Sequence, residues 1–276
     1  MTSVNLQRAS DWLQVVNMLP VLVELHLSKC QLDNIPPSLR YVNFTSLAVL
    51  HLSANFLEYT IPTWFYNLSS LFYLDLRFNN LQGQIPNEIG NLNSLEYLDL
   101  SRNIDSKVKL PNTFWNLCNL RVLDLSYNNF SGESLECRSN VSMCIGKSLE
   151  KLALSNSQLT GCIPEWFGQL NHLKYLHLSH NSLSGHIPGS LGNLSSLEKL
   201  FLHNNQLYGN LPESFGQLSN LHGRLIYRLK CLTRGNIRSS LHQTLQTEIL
   251  RNDFEHFYLY YKPQLASSIP TRKFCN

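Results

Sequence analysis

Residues 173–196 read LKYLHLSHNSLSGHIPGSLGNLSS, from Leu173 to Ser196, and the same pattern, LxxLxLxxNxLxGxIPxxLGxLxx, returns before and after them. Units start at Leu22, Leu47, Leu71, Leu95, Leu120, Leu149, Leu173 and Leu197, in steps of 25, 24, 24, 25, 29, 24 and 24 residues. Within LxxLxL the leucines of a short strand face one way and the residues between them face the other. Leu173, Leu176 and Leu178 therefore point inward. Three residues after the last strand leucine comes an Asn: Asn55, Asn79, Asn103, Asn128, Asn181 and Asn205, with Cys30 and Ser157 as small polar replacements. An Asn there is expected to pair the backbone of adjacent coils, since a buried unpaired backbone group costs roughly 1 to 3 kcal/mol.

Self-similarity at this period predicts an α/β leucine-rich-repeat solenoid, a curved right-handed superhelix with a concave parallel β-sheet. One coil cannot bury its own apolar face, so eight coils stack into one core. Gly83, Gly161, Gly185 and Gly209 lie three residues before Pro86, Pro164, Pro188 and Pro212, the plant-type GxIP segment. There Gly permits a tight bend, and Pro fixes φ where no ladder donor is needed.

Three segments follow. Residues 1–21 fit the back half of a coil whose front is missing, with an open apolar end and a helix from Trp12 to Met18 capped by Asp11. Residues 22–221 form the array of eight units, with an insertion near 133–147 expected at an edge close to the binding face. Residues 222–276 lose the register and form a divergent basic tail, read as foreign sequence from a retained intron or shifted frame, or as an unusual cap with a helix over 239–251. The tail is disordered or helical on this reading.

Charge divides the same way. Residues 1–221 carry 13 Lys or Arg against 16 Asp or Glu, and residues 222–276 carry 9 against 3. The array thus lacks the basic footprint that nucleic-acid binding needs. No apolar run reaches the length of a membrane span, and the N-terminus does not read as a signal peptide. Of seven cysteines, Cys118 and Cys162 occupy ordinary repeat positions, while Cys137 and Cys144 lie in the insertion. Those two can close a small disulfide in an oxidising compartment, the alternative being two thiols.

The outward strand positions form columns across the coils. From Leu71 to Leu120 they bring Tyr73, Asp75, Arg77, Phe78, Tyr97, Asp99, Arg102, Asp124 and Tyr127 into one candidate ligand-binding patch, about 10 to 15 Å across. Aromatics beside Arg are the usual material of binding hot spots. Asp75, Asp99 and Asp124 in a row suggest acid–base chemistry, but nothing in the sequence builds a dry pocket around them, and a solvated ladder is the plainer reading. His177, His180 and His203 on adjacent coils can bind a metal or sense pH; a solvated surface is again plainer. With no phosphate loop, nucleophile elbow, CxxC or HExxH, neither an enzyme nor a metal or cofactor is expected. Sequons mark Asn43, Asn67, Asn129, Asn140 and Asn193 as glycosylation candidates, a number close to chance, and Asn67 and Asn193 fall on the convex side.

The LxGxIPxxLGxLxxL units, with the stretches ASDWLQVVNMLP, VELHLSKCQLDNIP and LCNLRVLDLSYNNFSGE, resemble the extracellular domain of plant receptor-like proteins, the group of ethylene-inducing-xylanase receptors and leaf-mould resistance proteins. The resemblance covers residues 1 to about 221. It implies a non-catalytic module that recognises a protein or peptide ligand in plant defence and signals through a co-receptor kinase, at the plasma membrane or outside the cell. The family's signal peptide, cysteine-containing cap and membrane span have no counterpart in this sequence. Two other functions fit the same repeats: a soluble inhibitor of secreted cell-wall-degrading enzymes, like plant polygalacturonase inhibitors, or a truncated product without function.

Overall fold

In the computed structural model the described residues are 3–9, 11–33, 35–58, 60–103, 111–131, 134–135 and 144–221, all within one compact unit spanning Met1–Gly235. The tail from 222 on, including the expected helix over 239–251, lies outside them.

Each LxxLxL segment forms a three-residue strand: Glu24–His26, Val49–His51, Tyr73–Asp75, Tyr97–Asp99, Val122–Asp124, Lys151–Ala153, Tyr175–His177 and Lys199–Phe201. They pair in parallel in chain order to make one eight-stranded sheet. The register keeps leucine beside leucine, as in Leu74↔Leu98 and Leu152↔Leu176. A one-residue slip would turn the leucines out, so the apolar pattern fixes the register. Leu74, Leu98, Leu123, Leu152, Leu176 and Leu200 have no exposed surface. Cutting any of them to Ala is expected to cost about 2 to 5 kcal/mol.

The asparagine ladder is built as the sequence implies. Asn103 donates through Nδ2 to Leu76 O (3.2 Å) one coil back and to Leu100 O (2.9 Å) in its own coil. Its Oδ1 accepts from Leu81 N–H at 3.2 Å. Asn55, Asn79, Asn128, Asn181 and Asn205 repeat the pair of carbonyl contacts. Ser157 reaches only part of this, donating to Leu125 O and Ser155 O.

On the opposite side the seven coils from Leu47 on are each closed by one turn of 3-10 helix rather than by an α-helix, for example Thr63–Asn67, Glu165–Gln169 and Gly189–Asn193. Pro62, Pro164 and Pro188 precede these turns in extended geometry. Their carbonyls accept the first turn hydrogen bonds, and a missing N–H there removes nothing. The four GxIP glycines have φ between 80 and 89°, the left-handed region that suits glycine. Leading into this bend short parallel strands add a second layer: Ser184–Gly185 beside Gln206–Leu207, and Ser134–Leu135 beside Thr160–Gly161.

Residues 3–6 behave as the second half of a coil. Ser3 N–H bonds Ser28 O and Leu6 N–H bonds Cys30 O, extending the coil-to-coil ladder. The following α-helix runs from Trp12 to Asn17 and buries Trp12, Leu13 and Val16. Asp11 does not cap it: φ is −101° there and no side-chain hydrogen bond forms, so the helix is held by its apolar face rather than by its N-terminus.

The cysteines correct the expectation. Cys144 is bonded to Cys118, with Cα atoms 4.7 Å apart, not to Cys137, which lies outside the described residues. Cys162 is also in a disulfide, so neither Cys118 nor Cys162 is an ordinary filler. The physical reason is the period. A residue 26 positions on is a neighbour in the next coil, closer than its sequence distance suggests. Cys118 follows the Asn112–Asn116 turn and Cys144 precedes the Ile145–Lys147 turn. The disulfide therefore pins this end of the insertion to the side away from the sheet, not near its open face.

Candidate functional site

Two features project side chains from the sheet's open face. The strand supplies alternate outward residues, and the residue just before each ladder Asn adopts a left-handed backbone. That position is Lys29, Ala54, Phe78, Arg102, Tyr127, Asn156, His180 and Asn204, with φ from 54 to 60°. A non-glycine residue there costs roughly 1 to 2 kcal/mol. The cost is offset because the twist aims each N–H at the next coil: Phe78 N–H at Ser101 O, Arg102 N–H at Ser126 O, Tyr127 N–H at Ser155 O.

Across three coils this column stacks Phe78, Arg102 and Tyr127. The Arg102 guanidinium carbon lies 4.7 Å from the Phe78 ring centroid and 4.0 Å from that of Tyr127. An inner column stacks rings as well. Tyr73 and Tyr97 are parallel, 2° apart with centroids at 4.1 Å. His51 continues the stack at 4.4 Å from Tyr73, and His26 follows at 4.6 Å from His51. Parallel strands about 4.8 Å apart put equivalent rings at stacking distance. Burial pushes the Tyr73 and Tyr97 phenols above their usual range, and Asp75 and Asp99 reinforce this. Both phenols stay protonated donors.

The aspartates are not the solvated ladder expected of them. Asp75 is 0% exposed and Asp99 3%. Each turns one oxygen back to the backbone: Asp75 Oδ1 accepts Arg77 N–H (3.1 Å), Asp99 Oδ1 accepts Ser101 N–H (2.9 Å) and Asp124 Oδ1 accepts Ser126 N–H (3.1 Å). The other oxygens meet cations or a phenol. Arg77 bridges Asp75 (3.4 Å) and Asp99 (3.7 Å), and His51 Nδ1 lies 3.4 Å from Asp75. The Arg77–Asp75 contact is an ion pair, His51, whose pKa burial lowers, is a polar neighbour rather than a cation, and neither hydrogen-bonds Oδ2. Tyr97 donates to Asp99 Oδ2 at 3.3 Å, and Lys151 donates to Asp124 Oδ2 at 2.8 Å. Burial, then the neighbouring Asp124, raise the Asp99 pKa. The row ends strands and fixes Arg77.

Of the nine residues read as a patch, the structure brings all onto three adjacent coils, but to different depths. Arg77 and Phe78 are exposed, and Tyr73, Tyr97, Arg102, Asp124 and Tyr127 are half-buried. Asp75 and Asp99 support the surface from below. Sequence reading missed His51 and His26, which extend the ring stack. Their signal was an aromatic-capable residue in an outward column next to Tyr73.

Along one flank of the sheet, Glu96, Arg121, Glu150 and Lys174 alternate in charge on successive coils. Arg121 holds Glu150 at 2.6 Å and approaches Glu96 at 3.8 Å, while Lys174 holds Glu150 at 2.8 Å. The Lys174 and Arg121 hydrogen bonds lower the Glu150 pKa.

The histidines gather on the last coils. His177 packs edge-on against Phe201 (4.3 Å), and His180 against His203 (5.1 Å). His177 is half-buried rather than solvated: its Nε2 is buried with no hydrogen-bond partner, and burial and then Lys151 lower its pKa to about 4. Among the described residues no three His, Cys, Asp or Glu side chains are arranged to hold a metal ion. Of the sequon residues, Asn43, Asn67 and Asn193 are exposed and Asn129 is half-buried, with its Oδ1 accepting Ser131 N–H. Asn67 and Asn193 end their 3-10 turns on the side away from the sheet. Asn140 lies outside the described residues.

The comparisons with known proteins bear out the repeat solenoid. The leucine-rich-repeat family model matches residues 20–81, 45–104 and 147–207, and a second leucine-rich-repeat model matches 116–137. The chain belongs to the leucine-rich-repeat family. No curated protein sequence matches it significantly. Among solved structures it is similar to the plant peptide hormone receptor RGFR1 in complex with RGF2, with 33% identity and a TM-score of 0.67, over 76% of this chain and 33% of that one. It is also similar to the ectodomain of the receptor kinase GASSHO1/SCHENGEN3 from Arabidopsis thaliana in complex with CASPARIAN STRIP INTEGRITY FACTOR 2, with 36% identity and a TM-score of 0.65, over 76% and 24%. A plant ice-binding protein matches at 29% identity and a TM-score of 0.57, over 71% and 61%. The chain thus spans a third or less of the two receptor ectodomains.

Proposed function

We propose that this chain is a non-catalytic recognition module that binds a protein or peptide ligand on the open face of its sheet, centred on Arg77, Phe78, Arg102 and Tyr127. The observation that carries this is the Phe78–Arg102–Tyr127 stack. Three large side chains are fixed in register by the coil spacing before any ligand arrives, so little rotamer entropy remains to be lost on binding. Tyr73 and Tyr97 add a hydroxyl-bearing edge beside them, and Asp75, Asp99 and Asp124 hold the cations in place. One similar structure is a plant peptide hormone receptor in complex with RGF2 and another a receptor-kinase ectodomain in complex with CASPARIAN STRIP INTEGRITY FACTOR 2, which supports the same use here.

On this reading the chain is part of a plant cell-surface immune receptor-like protein of the xylanase-receptor and leaf-mould-resistance type, facing the outside of the plasma membrane and signalling with a co-receptor kinase. The disulfides at Cys118, Cys144 and Cys162 favour an oxidising compartment. Asn43, Asn67 and Asn193 are exposed acceptors for glycans there.

The test is a binding screen of the full chain against synthetic plant secreted peptides by surface plasmon resonance, repeated with Arg102→Ala and Tyr127→Ala. Each substitution is expected to weaken a true ligand by about tenfold or more. Failure of every peptide to bind, or binders that ignore both changes, would overturn the reading.

A further inference from the structure

On the side away from the sheet the ridge of 3-10 turns narrows at one coil. The turn Ile145–Lys147 is three residues long, whereas Glu165–Gln169, Gly189–Asn193 and Glu213–Gln217 after it have five each. Gly146 adds no side chain, and a Cβ there would stand 3.0 Å from Gln169 O. The short turn leaves the flank of the next coil uncovered, and a cleft of about 190 Å³ opens between Gly146 and Lys147 on one side and the loop from Gln169 to His172 on the other. Trp166 and Leu170 give it an apolar wall. The Trp166 ring is held edge-on by Trp115 at 4.9 Å and Phe167 at 4.5 Å.

Polar groups that the repeat uses elsewhere are left over here. Trp64, in the same place of its own turn, donates Nε1–H to Pro36 O of the preceding coil at 3.0 Å. Among the described residues no acceptor meets Nε1–H of Trp166. At the position of His172 other coils carry Ser94, Asn119 and Asn220, each donating to a carbonyl one coil back: Ser69 O, Asn93 O and Ser195 O. His172 does not join that row. Among the described residues its ring makes no hydrogen bond or ion pair, and neither do the exposed side chains of Lys147, Gln169 and Asn171. No Asp or Glu lines the cleft. Two basic groups and two amides thus surround an indole N–H, and none of them is tied to the chain itself.

We propose that this cleft binds a single sugar ring carrying a carboxylate, a uronic acid. Sites for drug-sized ligands run to roughly 300 to 1,000 Å³, so a cleft of about 190 Å³ admits one ring. The C–H face of the sugar packs on the wall of Trp166 and Leu170. The Gln169 and Asn171 amides, each both donor and acceptor, meet its hydroxyls, and Trp166 Nε1–H donates to one more. Lys147, with His172 beside it, takes the carboxylate in a charge-assisted hydrogen bond. An aromatic acid of the same size would cover the wall but leave both amides unused. The cleft is on the opposite side of the coils from Arg102 and Tyr127, so it stands or falls apart from the peptide reading of the open face.

The experiment is saturation-transfer NMR on the full chain with D-glucuronate, D-glucose and benzoate, followed by titration of the His172 ring Cε1–H signal with each. D-Glucuronate is expected to receive saturation and to move the His172 signal to a plateau. D-Glucose, which carries a hydroxymethyl group in place of the carboxylate, and benzoate, which lacks the hydroxyls, are both expected to bind more weakly. Lys147→Ala, and separately His172→Ser, which restores the residue that Ser94 supplies in its own coil, are exposed changes that leave the thermal midpoint in place. Each is expected to weaken glucuronate about threefold, while Arg102→Ala leaves its binding unchanged. The proposal is overturned if glucuronate does not move His172, if glucose or benzoate binds as tightly, or if both cleft variants bind glucuronate like the parent chain. Each of these results leaves peptide recognition on the open face standing.

Discussion

Arg102 packs its guanidinium 4.0 Å from the ring centroid of Tyr127 while its own backbone sits at φ 60°. One residue thus combines a strained conformation with a favourable cation–π contact. The two contributions separate by substitution. Arg102→Ala loses the ring contacts, about 0.5 to 1 kcal/mol at a partly exposed site, and keeps the strain. Arg102→Gly loses the same contacts but relieves the left-handed backbone. The Gly variant is therefore expected to be the more stable by about 1 kcal/mol, read from paired urea unfolding curves. Equal midpoints would mean that the turn carries no strain at this position.

The ladder asparagine one residue further on serves the fold rather than the site. Asn103→Ala leaves Leu76 O, Leu100 O and Leu81 N–H without their side-chain partner in a buried position. At about 1 kcal/mol or more for each such group, a loss of roughly 3 kcal/mol is expected. Differential scanning calorimetry of the variant checks it. A shift within error would show that water replaces the amide.

Much of this architecture was legible because repeats convert spacing into geometry. Each LxxLxL became a strand and each Asn slot a hydrogen-bond station, since both answer to a core that only one register satisfies. Columns of outward residues were legible too, which is how Phe78, Arg102 and Tyr127 were brought together. Depth was not legible. Asp75 and Asp99 look like surface carboxylates in LDL segments, yet they fold back onto backbone N–H groups and lie under Arg77. His177 was half-hidden too, packed edge-on by Phe201 of the next strand with its Nε2 buried. Alternation tells which side a residue faces, not what its neighbours in adjacent coils place over it.

The cysteines were misjudged for a related reason. Counting along the chain makes Cys137 the natural partner of Cys144, but stacking makes Cys118 its neighbour. Closing a loop of 26 residues is expected to contribute about 3 kcal/mol through the unfolded state. Cys144→Ser should lower stability by that order. Mass spectrometry of an unreduced digest is expected to recover a linked peptide pair containing Cys118 and Cys144. Recovery of Cys144 linked to Cys137 would contradict the arrangement.

His177 sets a pH dependence whose sign follows from its environment. Burial and Lys151 hold its folded-state pKa at about 4, below the 6.5 of an exposed imidazole. Between these values the unfolded chain binds a proton that the folded chain refuses, so stability rises with pH across that window. The stabilisation is complete above pH 6.5 and is lost as pH falls toward 4, at up to roughly 1.4 kcal/mol per pH unit from this one group. His177→Gln removes the titrating group while keeping a polar side chain. Urea midpoints measured from pH 7 to 4 are expected to fall less steeply in the variant than in the parent chain. Parallel slopes would mean that His177 does not carry the acid sensitivity of this window; Glu150, whose hydrogen bonds lower its pKa, loses its own contribution only at more acidic pH.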